Sequence, residues 1–136
     1  MLSAVTILAA IGTITRFPEA RFLVGIAGLG ARVHDSGERH TTSGITKMSR
    51  RDLVGAIIDA TNAAVRHHPF WKKEFERMEY CLGRSRAIVT IARKLLITVW
   101  HVLREEIPDK HYDPRDVACS FFKFAYAVKV RNLPEK

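Results

Sequence analysis

Residues 85–106, SRAIVTIARKLLITVWHVLREE, decide the fold of this chain of 136 residues. Apolar residues recur there every three or four positions, which is the spacing of one face of an α-helix. They are Ile88, Ile91, Leu95, Val99 and Val102. Ser85 suits the N-cap and Pro108 ends the segment. At ~1.5 Å per residue the helix would span roughly 33 Å, so we predict that it forms the spine of the domain.

The rest of the chain shows the same helical spacing. We predict further helices from about Ser3 to Gly12, from Pro18 to Gly28, from Ser49 to about Arg66, from Pro69 to Gly83, and from Asp113-Pro114 onward. In the last of these we expect inward positions at Val117, Phe121, Phe124 and Val128. The predicted fold class is mainly α, a compact bundle of about six helices. The expected domains are residues 1–108 and a helical extension, 109–136, packed on the first.

Composition and charge restrict the function. A hydrophobic content of 47% is sufficient for one core. Lys and Arg number 22 against 14 Asp and Glu, a net charge of +8, which favours a polyanionic partner, with nucleic acid ahead of an anionic membrane. The apolar run Met1 to Thr15 is too short to span a bilayer, so we expect no membrane segment and no signal peptide. With only two cysteines, a reducing cytoplasm is the expected location.

One segment lacks any helical or strand period. Residues 28–47, GLGARVHDSGERHTTSGITK, contain four glycines and many hydroxyl and basic residues. Loops of this length are uncommon inside compact domains and are often functional. We therefore predict one long glycine-rich basic loop and look for the site within it.

Ser36 is the candidate nucleophile of this loop. Attack on a phosphodiester needs a nucleophilic oxygen and cations on the non-bridging oxygens, where charge develops. The candidate nucleic-acid-binding residues are Arg32, Arg39, His40, Lys47, Arg50 and Arg51, with His34 also nearby. Thr41, Thr42 and Ser43 are rival hydroxyls, and Asp-Ser-Gly is also an ordinary turn sequence. The residues alone leave these alternatives open.

No metal site is predicted in this chain. Adjacent His67 and His68 would point about 100° apart on a helix and could not readily share one ion. Cys81 and Cys119 lie on separate predicted helices with no histidine at ligand spacing. We therefore expect no cofactor within the chain.

Several motifs in order give a family resemblance. They are Ile11-Gly12, Arg16-Phe17, Gly28-Leu29, Ser36-Gly37, the GITK of residues 44–47, Arg50-Arg51 and the ARKLL of residues 92–96. Together, over roughly residues 4–105, they resemble the C-terminal domain of the IS110, IS116 and IS902 family of insertion-sequence transposases. The order of several motifs is far more specific than any one of them.

The resemblance implies a recombinase of the serine type. The serine of its Ser-Gly motif, here Ser36, would attack DNA to give a covalent phosphoserine, on a target chosen by a guide RNA. Full-length relatives carry a preceding RuvC-like domain with an acidic metal-binding set, which this sequence lacks, so we expect a divalent metal only in that domain. The resemblance further implies a homo-oligomer at full length and an isolated chain that is incomplete as an enzyme.

Two other functions fit the sequence. The chain could be a non-catalytic helical module that binds DNA or RNA through its basic face, with Ser36 only a turn residue. It could also be a stable remnant without activity. The transposase and the non-catalytic module both predict an affinity for nucleic acid that falls steeply with salt, because phosphate contacts release counterions, whereas the remnant predicts no affinity.

Overall fold

The computed structural model describes residues 2–30, 32–36, 39–43, 50–111 and 113–127. Within these ranges it confirms a mainly α bundle with six α-helices. They are α1 (Leu2–Ile11), α2 (Ala20–Ile26), α3 (Arg51–His67), α4 (Pro69–Leu82), α5 (Arg84–Glu105) and α6 (Pro114–Ala127). A 3₁₀ turn at Ile14–Arg16 precedes α2, and two strands, β1 (Arg32–Ser36) and β2 (Arg39–Ser43), lie between α2 and α3.

Glycines end α1 and α4 as the sequence predicts. Gly12 has φ +61° and its N–H donates to the Leu8 carbonyl over 2.8 Å. Gly83 has φ +77° and its N–H donates to the Glu79 carbonyl over 2.9 Å. A residue with a β-carbon rarely adopts such a positive φ, so these positions stop their helices. Gly83 also occupies the N-cap position of α5, and the prediction that Ser85 caps this helix is wrong.

The main core forms where α1, α2 and α3 meet α5. Its fully buried members include Ile11, Leu23, Leu53, Ile57 and Leu96. Together they come from all four helices, so burial of these side chains holds the helices together. The predicted role of α5 as the spine is confirmed, because it packs against α2, α3 and α4.

The buried face of α5 is rotated from the predicted one. Ala87, Ile91, Ala92 and Leu96 are buried, whereas the predicted stripe contributes only Ile91 to that class. The remaining stripe residues are half-buried. The two alanines have short side chains, which allows the neighbouring helices to approach the axis of α5 closely on that side. A pattern of large apolar residues could not indicate this face.

A second core cluster joins α4 to α5. Trp71 and Phe75 of α4 pack with Ala87 and Ile91 of α5. Beside this cluster Lys94 donates to Glu74 over 2.8 Å, so an ion pair also connects the two helices. Burial of Trp71 and Phe75 therefore holds α4 against α5.

The segment predicted as a loop contains a β-hairpin. Strands β1 and β2 pair antiparallel, with Arg32 opposite Ser43 and Ser36 opposite Arg39. The expectation of an irregular loop throughout is thus wrong for these ten residues. The expectation failed because a two-stranded ladder need not bury either face. Its sequence therefore needs no alternation of apolar and polar residues, which is the pattern that predicts a strand.

The expected inward face of α6 is also wrong where it can be checked. The exposed fractions of Val117 and Phe121 are 49% and 60%. The side chain of Phe124 and all of Val128 lie outside the described residues. The division into residues 1–108 and 109–136 stays a prediction.

Candidate nucleic-acid interface

The hairpin places the backbone positions of Ser36 and Arg39 opposite each other. Ser36 and Arg39 are partners across the ladder, and directly opposed positions of an antiparallel pair share a face. His34 and Arg32 occupy alternate positions of β1 and so belong to the same face. Arg32 lies four residues from Ser36, or ~13 Å along the strand. One face of the ladder therefore carries the candidate nucleophile with three basic positions.

The other face of the ladder has a different composition. Asp35 pairs with His40, and Val33 pairs with Thr42. The acidic residue next to Ser36 in sequence thus belongs to the opposite face, together with the predicted phosphate contact His40. The register separates the predicted cations into Arg32 and Arg39 on the face of Ser36 and His40 on the reverse.

Arg50 connects the helices at the point where the chain enters α3. Its N–H donates to the Ile26 carbonyl of α2 over 3.4 Å. Its guanidinium Nη1 donates to the Ala10 carbonyl of α1 over 2.9 Å. The last four carbonyls of a helix have no partner inside it, so Arg50 satisfies one of those of α1. Since α2 precedes the hairpin and α3 follows it, this residue joins both ends of the segment that carries the hairpin.

The same guanidinium forms a fork with Asp52. Nη2 donates to Oδ2 over 2.6 Å and Nε to Oδ1 over 3.3 Å. These hydrogen bonds hold the pKa of the Asp52 carboxyl below its ordinary value. A fork already engaged by a carboxylate and a carbonyl has few donors left for a phosphate. The contact of Arg50 with Ala10 could not be predicted from the sequence, because it joins residues 40 positions apart.

The other predicted site residues have different positions. Arg51 is exposed at the first turn of α3, next to Arg50. Lys47 lies outside the described residues. For Ser36, Arg32, Arg39 and His40 the backbone register is described. The nucleic-acid contacts of all six cations, and the nucleophilic role of Ser36, stay predictions.

Further cations lie on α4 and α5. The exposed ones are Lys72, Lys73, Arg77, Arg84, Arg86, Arg93 and Arg104. Two of them are paired, Arg77 with Glu74 and Arg84 with Glu79. Lys94 differs from Arg93 beside it, because its ammonium is paired with Glu74. Of these two neighbours, Arg93 is exposed and Lys94 is half-buried in its ion pair.

A cavity of about 600 Å³ lies between α4, α5 and residues 107–111. Stacking of His111 on Phe70 closes one side, with their ring centroids 3.6 Å apart. None of the predicted site residues lines it. Within the described ranges no cluster of three His, Cys, Asp or Glu side chains could hold a metal ion. No helix in that same part of the chain is long and apolar enough to cross a membrane.

Two curated relatives resemble the chain over most of its length. The transposase for insertion sequence element IS1111A of Coxiella burnetii (strain RSA 493 / Nine Mile phase I) is 29% identical over 112 residues, which is 77% of this chain and 30% of the relative. The pilin gene-inverting protein of Moraxella bovis is 33% identical over 106 residues, 75% of this chain and 33% of the relative. The chain thus spans about a third of the length of these relatives.

No solved structure matches the chain significantly. A family model does match it, over residues 1–76, which include α1, α2, the hairpin and α3. More than half of the chain lies within this match, and the matched segment contains Ser36 and all six candidate cations. The chain therefore belongs to the transposase IS116/IS110/IS902 family.

Proposed function

We propose that this chain is the nucleophile-bearing, DNA-binding part of a DNA transposase. Membership of the family and the names of both relatives, a transposase and a gene-inverting protein, support an activity in DNA rearrangement. The observation that carries the chemical part is the cross-strand pairing of Ser36 with Arg39. Ser36 is the nucleophile of this proposal.

The hairpin register supports such a step. An attacking hydroxyl needs positive groups near the phosphate, because negative charge grows on the non-bridging oxygens as the new bond forms. Arg39 is directly opposite Ser36, and an arginine fork matches the geometry of two phosphate oxygens. Arg32, farther along β1, would contact another part of the DNA backbone.

The proposed reaction balances as a transesterification. The Ser36 oxygen forms a bond to phosphorus, the bond from phosphorus to one bridging deoxyribose oxygen breaks, and the strand end leaves with a hydroxyl. The proton lost by the serine passes to solvent or to a base of the complete enzyme, and the leaving deoxyribose oxygen takes up a proton from the same sources, so the proton count is unchanged. The phosphoserine retains the energy of the ester, so the reverse attack by a strand hydroxyl rejoins DNA. No step of this proposal is assigned to a metal of this chain.

A guide RNA and further copies of the chain belong to the proposal as partners. The exposed cations of α4 and α5 support the binding of a second nucleic-acid strand, since they add positive charge outside the hairpin. We expect the RuvC-like domain of full-length relatives to complete the active site.

The test uses DNA that reacts without help from another domain. In a bridging phosphorothiolate, one bridging oxygen at a defined phosphate is replaced by sulfur, and the thiol leaves without protonation. The purified chain is incubated with a panel of such duplexes and nicked duplexes, carrying sulfur on the 3′ or the 5′ side, and covalent adducts are separated on denaturing gels.

We expect an adduct with the wild type and with Ser43→Ala, and none with Ser36→Ala. DNA affinity should remain the same for all three proteins. Binding that persists without any adduct on the panel would contradict the nucleophile and favour the non-catalytic module. Loss of the adduct in Ser43→Ala but not in Ser36→Ala would move the nucleophile to the second strand.

A further inference from the structure

The cavity between α4, α5 and residues 107–111 has no part in the proposed reaction. Its volume of about 600 Å³ lies in the range of small-molecule sites, roughly 300–1,000 Å³. Two contacts of His111 hold its outer wall on α4. The His111 carbonyl accepts a hydrogen bond from Nε2 of His68 over 3.0 Å, and the His111 ring stacks on Phe70. The wall is therefore in place before any ligand enters.

One side of the cavity is aromatic. Phe70, Trp71 and His111 all line it. The rings of Phe70 and His111 are 3.6 Å apart at an interplanar angle of 17°, and Trp71 meets Phe70 edge-on at 5.0 Å. Ile97 and Val102 of α5 add apolar surface to the lining. A flat heteroaromatic ring fits such a wall, since the imidazole of His111 already stacks on Phe70 in this way.

Asp109 gives the cavity an unsatisfied acceptor. This residue lines the cavity and is half-buried, and no residue in the described ranges donates a hydrogen bond to its carboxylate or pairs with it. Glu105, the other acid of the lining, accepts a hydrogen bond from Nδ1 of His101 over 2.8 Å. A partly desolvated carboxylate is costly without a donor, so a ligand with N–H groups would be stabilised here.

Exposed cations stand near the cavity. Lys110 lines it, Lys73 follows Phe70 by three residues on α4, and Arg104 follows His101 by three residues on α5. Residues three apart on a helix are neighbours on its surface. Within the part of the chain that the structure describes, none of these three cations is in an ion pair. They suit phosphate groups that remain in solvent while a ring enters the cavity.

We propose that this cavity binds one unpaired nucleobase of a DNA or RNA strand. The base lies against the aromatic wall and donates an N–H to Asp109, and the flanking phosphates contact Lys73, Arg104 and Lys110. An apolar peptide or a lipid chain would leave the Asp109 carboxylate without a donor. The site rests on the nucleic-acid binding of the proposed function and is independent of Ser36.

The test compares probes that differ at one position. One duplex carries a single bulged guanosine, whose base presents two adjacent N–H donors, a second carries an abasic bulge at that position, and a third is fully paired. Each is made in DNA and in RNA, and fluorescence anisotropy measures the affinity of the full chain. The wild type should bind the guanosine bulge about tenfold more tightly than the abasic bulge in both, because stacking on aromatic residues does not depend on the sugar.

Variants assign this preference to the cavity. Phe70→Ala should bind the two bulges equally, and Asp109→Ala should lose most of the preference without weaker binding of the abasic probe. Tyr80→Ala is the matched control, because Tyr80 is an aromatic residue of α4 that is 94% exposed and does not line the cavity. Phe70→Trp keeps an aromatic ring and should keep the preference. Thermal melts by circular dichroism establish that each variant is folded.

The outcomes separate this site from the proposed function. A preference limited to DNA or to RNA would support the cavity and assign its source. Equal affinity of the wild type for both bulges, an equal loss in Tyr80→Ala, or a preference that survives Phe70→Ala and Asp109→Ala would overturn the proposal. Ser36→Ala should retain the preference even though it forms no adduct. A chain that binds none of the probes would contradict both proposals.

Discussion

The guanidinium of Arg50 donates a hydrogen bond to the carbonyl oxygen of Ala10 over 2.9 Å, so a side chain before α3 caps the end of α1. A cation at this position also opposes the negative end of the helix dipole. The same side chain holds Asp52. Because the hairpin lies between α2 and Arg50 in the sequence, this contact joins the C-terminal limit of that segment to α1.

Arg50→Ala should destabilise the fold more than Asp52→Asn. The first substitution removes the bond to Ala10 and leaves a carbonyl of α1 without its partner, whereas the second removes only an exposed ion pair. Thermal unfolding followed by circular dichroism checks the order of the two midpoints. Equal midpoints would show that the cap on α1 adds nothing to stability.

Glu74 should make stability depend on acid. Hydrogen bonds from Lys94 and Arg77 hold the pKa of Glu74 below its ordinary value of 4.5. A carboxyl with a lowered pKa in the folded state stabilises the fold above its unfolded pKa, and this contribution disappears as the pH falls through the folded pKa.

Glu74→Gln should therefore unfold at lower urea than the wild type at pH 7, and the two midpoints should converge as the pH falls through the folded pKa of Glu74, which lies below 4.5. Urea titrations from pH 7 to pH 3 measure this. A constant difference at every pH would mean that packing, and not the charge of Glu74, accounts for the effect.

Gly83→Ala and Gly55→Ala should change stability in opposite directions. Neither added β-carbon would meet another atom within 4 Å, so only the backbone distinguishes them. Gly83 has φ +77° and ψ 158°, a region that is almost restricted to glycine, and alanine should cost about 1–3 kcal/mol there. Gly55 lies inside α3, where alanine should add about 0.5–1 kcal/mol. Denaturant titrations measure the free energy of unfolding of each variant. A higher stability for Gly83→Ala than for the wild type would contradict the description of this turn.

Arg39→Gln should lower the salt dependence of DNA binding. Loss of one phosphate contact to duplex DNA reduces the slope of log affinity against log salt by ~0.9. Arg77→Gln removes the same charge from a residue paired with Glu74 and serves as the control, with an unchanged slope expected. Fluorescence anisotropy at several salt concentrations measures both, and equal slopes for the two variants would argue against contact at the hairpin.

Helix ends could be predicted from the sequence because they depend on local chemistry. Gly12, Gly83 and Pro69 stand where the structure ends or begins helices. The buried face of α5 could not be predicted so well, because large apolar residues occur around much of that helix and the close contacts involve Ala87 and Ala92.

The candidate site shows a similar division. The motif and its basic neighbourhood predict Ser36 and the cations as site residues, but the pairing of Ser36 with Arg39 depends on a hairpin that has no apolar alternation. Distance along the chain also conceals the contact from Arg50 to Ala10. The inward prediction for Val117 and Phe121 failed for another reason, since a helical seam has the same spacing whether its own domain or a partner covers it.

The most direct test of the proposed function is peptide mapping of the covalent product by mass spectrometry. After reaction of the chain with phosphorothiolate DNA and digestion of protein and DNA, the proposal predicts one nucleotide remnant attached through phosphate to the oxygen of Ser36. A remnant on Thr41, Thr42 or Ser43, or protein recovered without any remnant, would contradict the assignment of Ser36 as the nucleophile.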